Sequence, residues 1–543
     1  MDAIFTPLEY YLHDAKERHA QKTLARYEEL EKKSGVSLSE NAETVRQYDA
    51  QVALVNNAEK AISTKKTLRT LGIIFSIVAI VAGLILGQTV HPLLNACIPV
   101  AIVTLILVCS SSKKAIASLK KEHETLSKRA DELYDKARAQ TAPLCALFTG
   151  NEATALVEEV VPGISFDEEY CAERLAKTHI DYGYFPAYPS DQSVVATLSG
   201  ELRNRPFLFN RRLVHNLGVH TYHGAKTISW QTRVRNSQGQ YVMQTRTEVL
   251  HASIVRPKPY YDHQTELVYC HEGAPDLNFS RTYAHAEDES EKSLERKLRK
   301  GEKKLLKKTD KSLKEGGDFI ATANTDFEVL FNATSRSDEI AFRTMFTAQA
   351  QRAMVDLLLS DDGYGDDFEF EKQGKINRIR SEHAQNNPIT LPATSYYSHD
   401  ISEIKRNFLT LNEQFFKGVF FDFAPLLLIP PYQTPFVKNV SFYGGTRTQL
   451  NREELVNRVS SAFTPEGAHT PSILKTALKE TSGTDEIISV LASAYTSVER
   501  IEYVPKFGGD GKLHHVPVPW TEYIPVSSET TARISKSGEV TIL

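Results

Sequence analysis

The sequence predicts an α+β fold in which helices and strands are mixed without regular alternation. Over residues 228–249, apolar and polar side chains alternate on both sides of a turn at residues 236–239, which is typical of a β-hairpin with one buried face. A second alternating pattern covers residues 501–518 around a glycine-rich turn. Because no repeated strand–helix–strand order connects these patterns, we expect antiparallel hairpins rather than a parallel sheet.

Other elements of this body are predicted from local patterns. Helical periodicity covers residues 339–360, 401–416 and 451–463. Residues 419–429 form an apolar run that we interpret as a buried strand. Pro257 and Pro259 are expected to end the first hairpin, because proline has no N–H group to donate to a ladder.

The N-terminal part of the chain is predicted to be helical. A first helix is expected over about residues 7–33, and heptad patterns cover residues 45–62 and 116–137. We expect these two heptad segments to pair as an antiparallel stalk within one chain. The alternative is a coiled coil that joins several copies.

Between the heptad segments, residues 70–112 contain no Asp, Glu, Lys or Arg. Each half of this run is close to the roughly 20 residues that a helix needs to cross a bilayer. The run therefore predicts a two-helix transmembrane hairpin, and the alternative is a helical hairpin buried in a protein core. Gly83 and Gly87 have the spacing of a close contact between membrane helices.

Charge on the two sides of the run predicts its orientation. Lys65, Lys66 and Arg69 precede it, and Lys113 and Lys114 follow it. The positive-inside rule then predicts a multi-pass protein of the inner membrane with both termini in the cytoplasm. No signal peptide is expected, because the first residues are followed by a charged helical pattern.

Composition adds few constraints. The formal net charge is −4, and the five cysteines are scattered without a CxxC pair, which indicates a reducing compartment without a zinc site. The predicted organisation is residues 1–69 (N-terminal helices and stalk), 70–112 (transmembrane hairpin), 113–142 (return helix of the stalk), 143–288 (β-rich part), 289–317 (basic helical insertion) and 318–543 (α+β part).

The order of these features resembles a family of uncharacterised bacterial membrane proteins. The resemblance rests on the GYF sequence at residues 183–185, on YPSD at residues 188–191 and on the pattern TDFEVLFNATSRSDEIAFRTMF that begins at Thr325. It implies two membrane spans, a bacterial source and a cytoplasmic domain of unknown function. The insertion at residues 289–317 and the part after Asn439 depart from shorter family members.

Motifs that would identify an enzyme are missing from the sequence. It contains no GxxxxGK[ST], no GxGxxG after a strand, no GxSxG and no HExxH. His215, His220 and His223 lie close together, but their spacing fits no known zinc site, so we interpret them as structural or surface residues. His514 and His515 are expected on opposite faces of one strand.

An acidic cluster surrounds Gly363 and Gly365. Calcium binding is one hypothesis for it, since clustered carboxylates suit a hard cation, but the EF-hand spacing is absent and we favour a solvated loop. We predict no metal site and no cofactor. The cluster consists of Asp361, Asp362, Asp366, Asp367, Glu369 and Glu371.

The most suggestive segment is residues 292–314, which contain eleven basic and three acidic residues and a partial leucine stripe. A basic amphipathic helix can lie on anionic lipid head groups, and it could instead bind nucleic acid or remain solvated. We consider nucleic acid the weaker hypothesis, because no aromatic residue lies between the lysines. The residues assigned to the lipid surface are Lys297, Arg299, Lys300, Lys303, Lys304, Lys307 and Lys308.

These observations favour a scaffold or interaction protein over an enzyme. We predict a homo-oligomer that is anchored in the lipid bilayer and docks an unknown protein partner on its cytoplasmic side. The alternative is an enzyme with dispersed site residues that acts on a membrane or envelope substrate. A cleft that gathers histidines and carboxylates would favour the enzyme.

Overall fold

The computed structural model describes residues 3–89, 97–235, 237–283, 285–317, 319–333, 335–360, 364–435 and 445–543. The chain forms two compact units. We call them the sheet unit (Met1–His19, Ala153–Leu391 and Glu413–Leu543) and the helical unit (Ala20–Glu152 and Pro392–Asn412). The N-terminal residues Met1–His19 belong to the sheet unit, and the short segment Pro392–Asn412 belongs to the helical unit.

The elements of the described chain have the following bounds. The helices are α1 (Pro7–Tyr10), α2 (Lys16–Ser34), α3 (Leu38–Thr89), α4 (Cys97–Cys145), α5 (Glu152–Glu158), α6 (Ala172–Tyr182), α7 (Glu291–Glu315), α8 (Thr325–Phe331), α9 (Glu339–Met345), α10 (Ala348–Leu358), α11 (Glu382–Asn386), α12 (Ile401–Leu427) and α13 (Gln449–Arg458). The strands are β1 (Ile164–Phe166), β2 (Gln192–Leu202), β3 (Arg205–Arg235), β4 (Tyr241–Cys270), β5 (Asn278–Arg281), β6 (Phe368–Gln373), β7 (Ile376–Ser381), β8 (Ile473–Ser482), β9 (Asp485–Phe507), β10 (Leu513–Ile534) and β11 (Val540–Ile542).

Helices α3 and α4 lie antiparallel in the helical unit. Near the start of α3, the Asn41 side chain donates to Gln140, which lies near the end of α4, at 3.4 Å. Farther along α3, Gln51 donates to the carbonyl of Leu126 at 3.1 Å. The heptad residue Ala137 is fully buried. The heptad segments therefore pack against each other within one chain, as the predicted stalk requires.

The prediction of a transmembrane hairpin over residues 70–112 is wrong. In the described parts of the chain, no helix has a segment both long and apolar enough to cross a membrane. This contradicts the predicted membrane spans and the inner-membrane location. The surroundings of Gly83 and Gly87 lie outside the described residues.

Two antiparallel sheets organise the sheet unit and confirm the α+β class. The larger sheet has the strand order β1-β2-β3-β4-β7-β6-β5, and the smaller has the order β11-β10-β9-β8. Both predicted hairpins are confirmed, since β3 pairs with β4 and β9 pairs with β10. Every pairing among these described strands is antiparallel.

Two predictions of local structure are wrong. The run at residues 419–429 belongs mostly to helix α12. Its residues are buried on all sides, so apart from Asp422 no polar position reveals the helical period. Strand β4 continues through Pro257 and Pro259 to Cys270. A proline fits in an edge strand when its nitrogen faces away from the neighbouring strand.

Helix α13 holds the two sheets together. Its Glu453 accepts a hydrogen bond from the Val194 backbone of β2 at 3.1 Å, and its Glu454 accepts one from the Thr197 backbone at 3.2 Å. On its other side, Val456 packs in a core cluster with residues of β8, β9 and β10. The bases of the two long hairpins are therefore fixed in one body.

Candidate interaction surface

Strands β3 and β4 extend far beyond the larger sheet as a two-stranded ribbon. The pairing of β3 with β2 stops at Val214, and the pairing of β4 with β7 begins only at Leu267. Between these limits the two strands pair only with each other, in one continuous register that reaches Arg235 opposite Tyr241. We call residues 215–235 and 241–261 ribbon 1.

Strands β9 and β10 form a second long ribbon. The pairing of β9 with β8 ends at Ser493, and the remaining residues pair with β10 up to Phe507 opposite Leu513. We call residues 494–507 and 513–526 ribbon 2. The two ribbons together are called the arm.

The ribbons stack face to face. Their inner faces form one apolar cluster, and its buried members are Ile228, Leu250, Ala252, Ile254, Val516 and Val518. The approach is close at Gly224, where a Cβ atom would lie 2.1 Å from the carbonyl oxygen of Pro517. Only glycine fits at this crossing.

Polar contacts fix the register of the stack. The backbone N–H of Gly509 donates to Glu248 at 2.6 Å, which holds the turn of ribbon 2 on ribbon 1. Arg256 of ribbon 1 forms an ion pair with Glu502 of ribbon 2. The arm is therefore a defined two-layer element, even though a single two-stranded ribbon is marginally stable in water.

The outer face of ribbon 2 is apolar and exposed. Side chains alternate between faces along a strand, so the odd-numbered residues of the outer part, residues 501–507 and 513–519, lie on the face away from ribbon 1. Ile501 is 60% exposed, Tyr503 is 61% exposed and Phe507 is 75% exposed. Over residues 495–525 of ribbon 2, Glu499 is the only Asp, Glu, Lys or Arg at an odd-numbered position. Large apolar and aromatic side chains are thus gathered on a face almost without charge.

The outer face of ribbon 1 is also poor in charge, but its large apolar side chains are far apart. Leu217 is 60% exposed near the base, whereas Tyr241 and Met243 (62% and 61% exposed) lie at the far end, opposite Arg235 and Arg233. Val219 is 70% exposed, and Val249 and Val255 are about half exposed. Threonine and serine occupy several of the positions between them. Arg233 and Arg235 lie on this face only near the far end of the ribbon.

Proline protects two edges of the arm, those of β4 and β10. Pro257 and Pro259 lie in β4, and Pro517 and Pro519 lie in β10. An added strand would need N–H groups at an edge, and proline does not supply them. The faces of the arm, more than its edges, are therefore the surfaces available to a partner.

The basic residues singled out in the sequence lie on one continuous helix, α7. Gly301 lies within this helix and faces α8, where its missing side chain leaves room for Val329. Two of the seven predicted lipid-binding residues contact neighbouring side chains of the sheet unit. Lys297 forms an ion pair with Glu289 at 2.7 Å, and Lys308 lies 4.1 Å from the ring centre of Phe319, where burial lowers its pKa. The exposed members are Arg299, Lys300, Lys303, Lys304, Lys307 and Lys308.

The three neighbouring histidines do not converge on one point. His220 lies on the face of β3 opposite to His215 and His223. The His215 ring lies 5.2 Å from the ring of Tyr261, and burial lowers its pKa. His514 and His515 also lie on opposite faces, and only His514 contacts an acid, Asp510, at 3.0 Å.

The acidic cluster is partly buried, in contrast to the solvated loop that we favoured. Asp361 and Asp362 lie outside the described residues. Asp366 is fully buried and forms an ion pair with Arg281, which is also fully buried. Arg281 is not evident from the sequence, because it lies far from the cluster along the chain and no local pattern connects the two.

A second buried charge in this region is His383. Its Nδ1 lies 2.7 Å from Asp367 and its Nε2 lies 3.4 Å from Asp422, while Tyr364 stacks on the ring at 3.9 Å. Burial alone would lower the pKa of His383, but the attraction of Asp422 and Asp367 outweighs it and raises the pKa to about 10. The side chain is 3% exposed, so this arrangement stabilises the interior and is closed to a substrate.

One group of described residues has spacing suitable for a metal ion. His285, Glu287 and Asp288 each offer one ligand atom, and these atoms lie within 4.8 Å of one another. Glu287 already accepts a hydrogen bond from the backbone of Asp366 at 3.1 Å. All three are at least partly exposed, and such acidic groups commonly gather without an ion. We assign no ligand to this group.

Comparison with known proteins returned no family model, no curated protein and no solved structure that matches this chain. The resemblance to uncharacterised bacterial proteins therefore stays a prediction. The function has to be inferred from the surfaces described above.

Proposed function

We propose that this chain is an interaction protein that associates with a second copy of itself through the outer face of ribbon 2. The observation that carries the proposal is the exposed apolar face formed by Ile501, Tyr503, Phe507 and Leu513. Exposed apolar patches of this kind mark interaction sites, and aromatic side chains are enriched at interfaces.

The lack of charge on this face supports a second copy as the partner. In a two-fold symmetric contact, the same patch is present on both sides, so a patch with several charges of one sign would bring like charges together. On the outer face of ribbon 2, Glu499 is the single Asp, Glu, Lys or Arg that would meet a charge of the second copy, and it lies at one end of the apolar patch. Burying this face against its own copy therefore leaves few charges without a partner.

The size of the face predicts a weak association. At about 3.3 Å per residue and about 10 Å across two strands, the outer face of ribbon 2 covers roughly 400 Å² before the relief of its side chains is counted. A standard interface buries about 800 Å² on each partner. We therefore expect a dimer that dissociates on dilution. The stacked ribbons form a pre-organised surface, which lowers the entropic cost of binding.

The test replaces Ile501, Tyr503 and Phe507 of the full chain by serine and measures the molar mass by light scattering over a range of concentrations. We expect the unchanged protein to form dimers as its concentration rises and the triple variant to stay monomeric, because the apolar contact area is lost.

The matched control carries serine at Val219, Val249 and Val255, which are exposed on the outer face of ribbon 1. It should form dimers like the unchanged protein. A monomer at every concentration for the unchanged protein, or equal behaviour of the two triple variants, would refute the assignment to ribbon 2.

A further inference from the structure

Helix α7 presents a basic face away from the rest of the sheet unit. It has 25 residues and is therefore about 37 Å long. With 3.6 residues per turn, one side of the helix contains Arg296, Arg299, Lys300, Lys303, Lys307 and Lys314, and all six are exposed. We call these residues the basic face. The only acidic residue within its limits is Asp310.

The opposite side of α7 is fixed to the body. Leu305 is buried, and Leu294 and Leu298 are half-buried on the same side. Gly301 allows a close approach to α8, since a Cβ atom there would lie 2.5 Å from Val329. The helix ends at Gly316 in the left-handed conformation, which favours glycine. Because α7 is docked along its inner side, the basic face is held outward in one orientation.

Apolar side chains lie beside the basic face. Leu306 is 59% exposed and Leu313 is 62% exposed. Their spacing of seven residues places them on the same side of the helix, along the edge of the basic face. A surface that combines positive charge with exposed leucine suits a partner that is anionic outside and apolar just below. A nucleic acid provides phosphates for the basic side chains, but it has no apolar layer that would contact the two leucines.

We propose that the basic face of α7 binds the surface of an anionic lipid bilayer. The lysine and arginine side chains would contact the head groups, and Leu306 and Leu313 would enter the boundary between head groups and acyl chains. Contact of this kind requires no membrane span. Each basic residue near an anionic surface strengthens binding about fivefold, so the loss of three should weaken it roughly 100-fold.

The test measures binding of the full chain to vesicles of phosphatidylcholine that contain phosphatidylserine, with vesicles of phosphatidylcholine alone for comparison. The variant Lys300→Gln, Lys303→Gln, Lys307→Gln should bind the anionic vesicles roughly 100-fold more weakly. A matched control, Lys33→Gln, Lys121→Gln, Lys536→Gln, removes the same charge at exposed positions elsewhere and should bind like the unchanged protein. Circular dichroism verifies that each variant is folded.

A second variant separates lipid from nucleic acid. Leu306→Asn with Leu313→Asn should weaken vesicle binding while all lysines remain. The proposal is overturned if the lysine variant binds vesicles as tightly as its control. It is also overturned if the chain binds a DNA duplex, ignores anionic vesicles and keeps its DNA affinity in the leucine variant.

Discussion

His383 lies between two buried carboxylates, and the proton that they hold on its ring contributes to the stability of the sheet unit. The pKa of His383 is raised to about 10, from about 6.5 in an unfolded chain. The folded state therefore holds this proton more tightly than the unfolded state does. The resulting stabilisation is fully present below about pH 6.5 and is lost as the pH rises through about 10.

We expect the free energy of unfolding to show this loss when the unchanged protein is compared with His383→Gln. The difference between the two should be largest near pH 6.5, of the order of a few kcal/mol, and should shrink towards pH 10. Urea titrations followed by circular dichroism at several pH values measure it. The comparison is needed because the pKa of buried Lys372 is lowered to about 8, and Lys372 stabilises the fold as the pH rises. Replacing the exposed His220 by Gln is the control, and a pH-independent difference for His383→Gln would contradict the assignment.

At the scale of elements, the arm shows how two weak ribbons become one ordered element. Each ribbon has only two strands over most of its length, so neither can bury a face alone. Stacking buries even-numbered residues from the middle of both ribbons in the cluster that contains Ile228 and Val516. The odd-numbered residues are then left outside, and the same alternation that forms the stack also produces the candidate interaction surface.

The contact between α7 and α8 leads to a prediction about Gly301. Alanine in a helix is ordinarily favoured over glycine by about 1 kcal/mol, but here its Cβ atom would lie 2.5 Å from Val329, whose branched side chain has little freedom to move. We therefore expect Gly301→Ala to destabilise the protein by about 1–2 kcal/mol, because overpacking costs more than the helix gains.

The control for this prediction is the same substitution in a Val329→Ala background. With the branched side chain removed, Gly301→Ala should become neutral or stabilising by up to about 1 kcal/mol. Urea unfolding of the four proteins completes the double-mutant cycle. A stabilising effect of Gly301→Ala in the unchanged background would show that α7 is not docked closely on α8.

For the whole molecule, the structure separates the arm from the body that supports it. The core clusters at the base contain Val456, Leu474 and Ile488 in one case and Val194 and Val268 in the other. None of these residues lies in the outer parts of the ribbons. The two proposed surfaces, on ribbon 2 and on α7, should therefore act independently.

Shortening both ribbons tests this independence. Residues 218–258 and 498–522 are each replaced by an Asn-Gly turn, which closes a tight hairpin. We expect the melting temperature to change by no more than a few degrees, self-association to be lost and binding to anionic vesicles to persist. Calorimetry, light scattering and vesicle flotation measure the three properties. Unfolding of the shortened chain, or loss of vesicle binding, would show that the arm and the body are one cooperative structure.

Local patterns in the sequence predicted the elements that have one side buried and the other side in water. The alternation around Trp230 and Met243 predicted ribbon 1, and the lysine-rich periodicity predicted α7, because one side of each element faces water. Such patterns fail where both sides are buried. Residues 419–429 were therefore assigned to a strand although most of them lie in α12.

By itself, the sequence determined the α+β class, the two hairpins and the basic helix, because these follow from the period of polar and apolar residues along a few turns or strands. Only the tertiary structure decided which face of each hairpin is free, that Arg281 neutralises Asp366 and that His383 lies between two carboxylates. Those outcomes depend on contacts between residues that are far apart along the chain. A local pattern shows that a side chain prefers a partner, while the packing of distant elements determines which partner it meets.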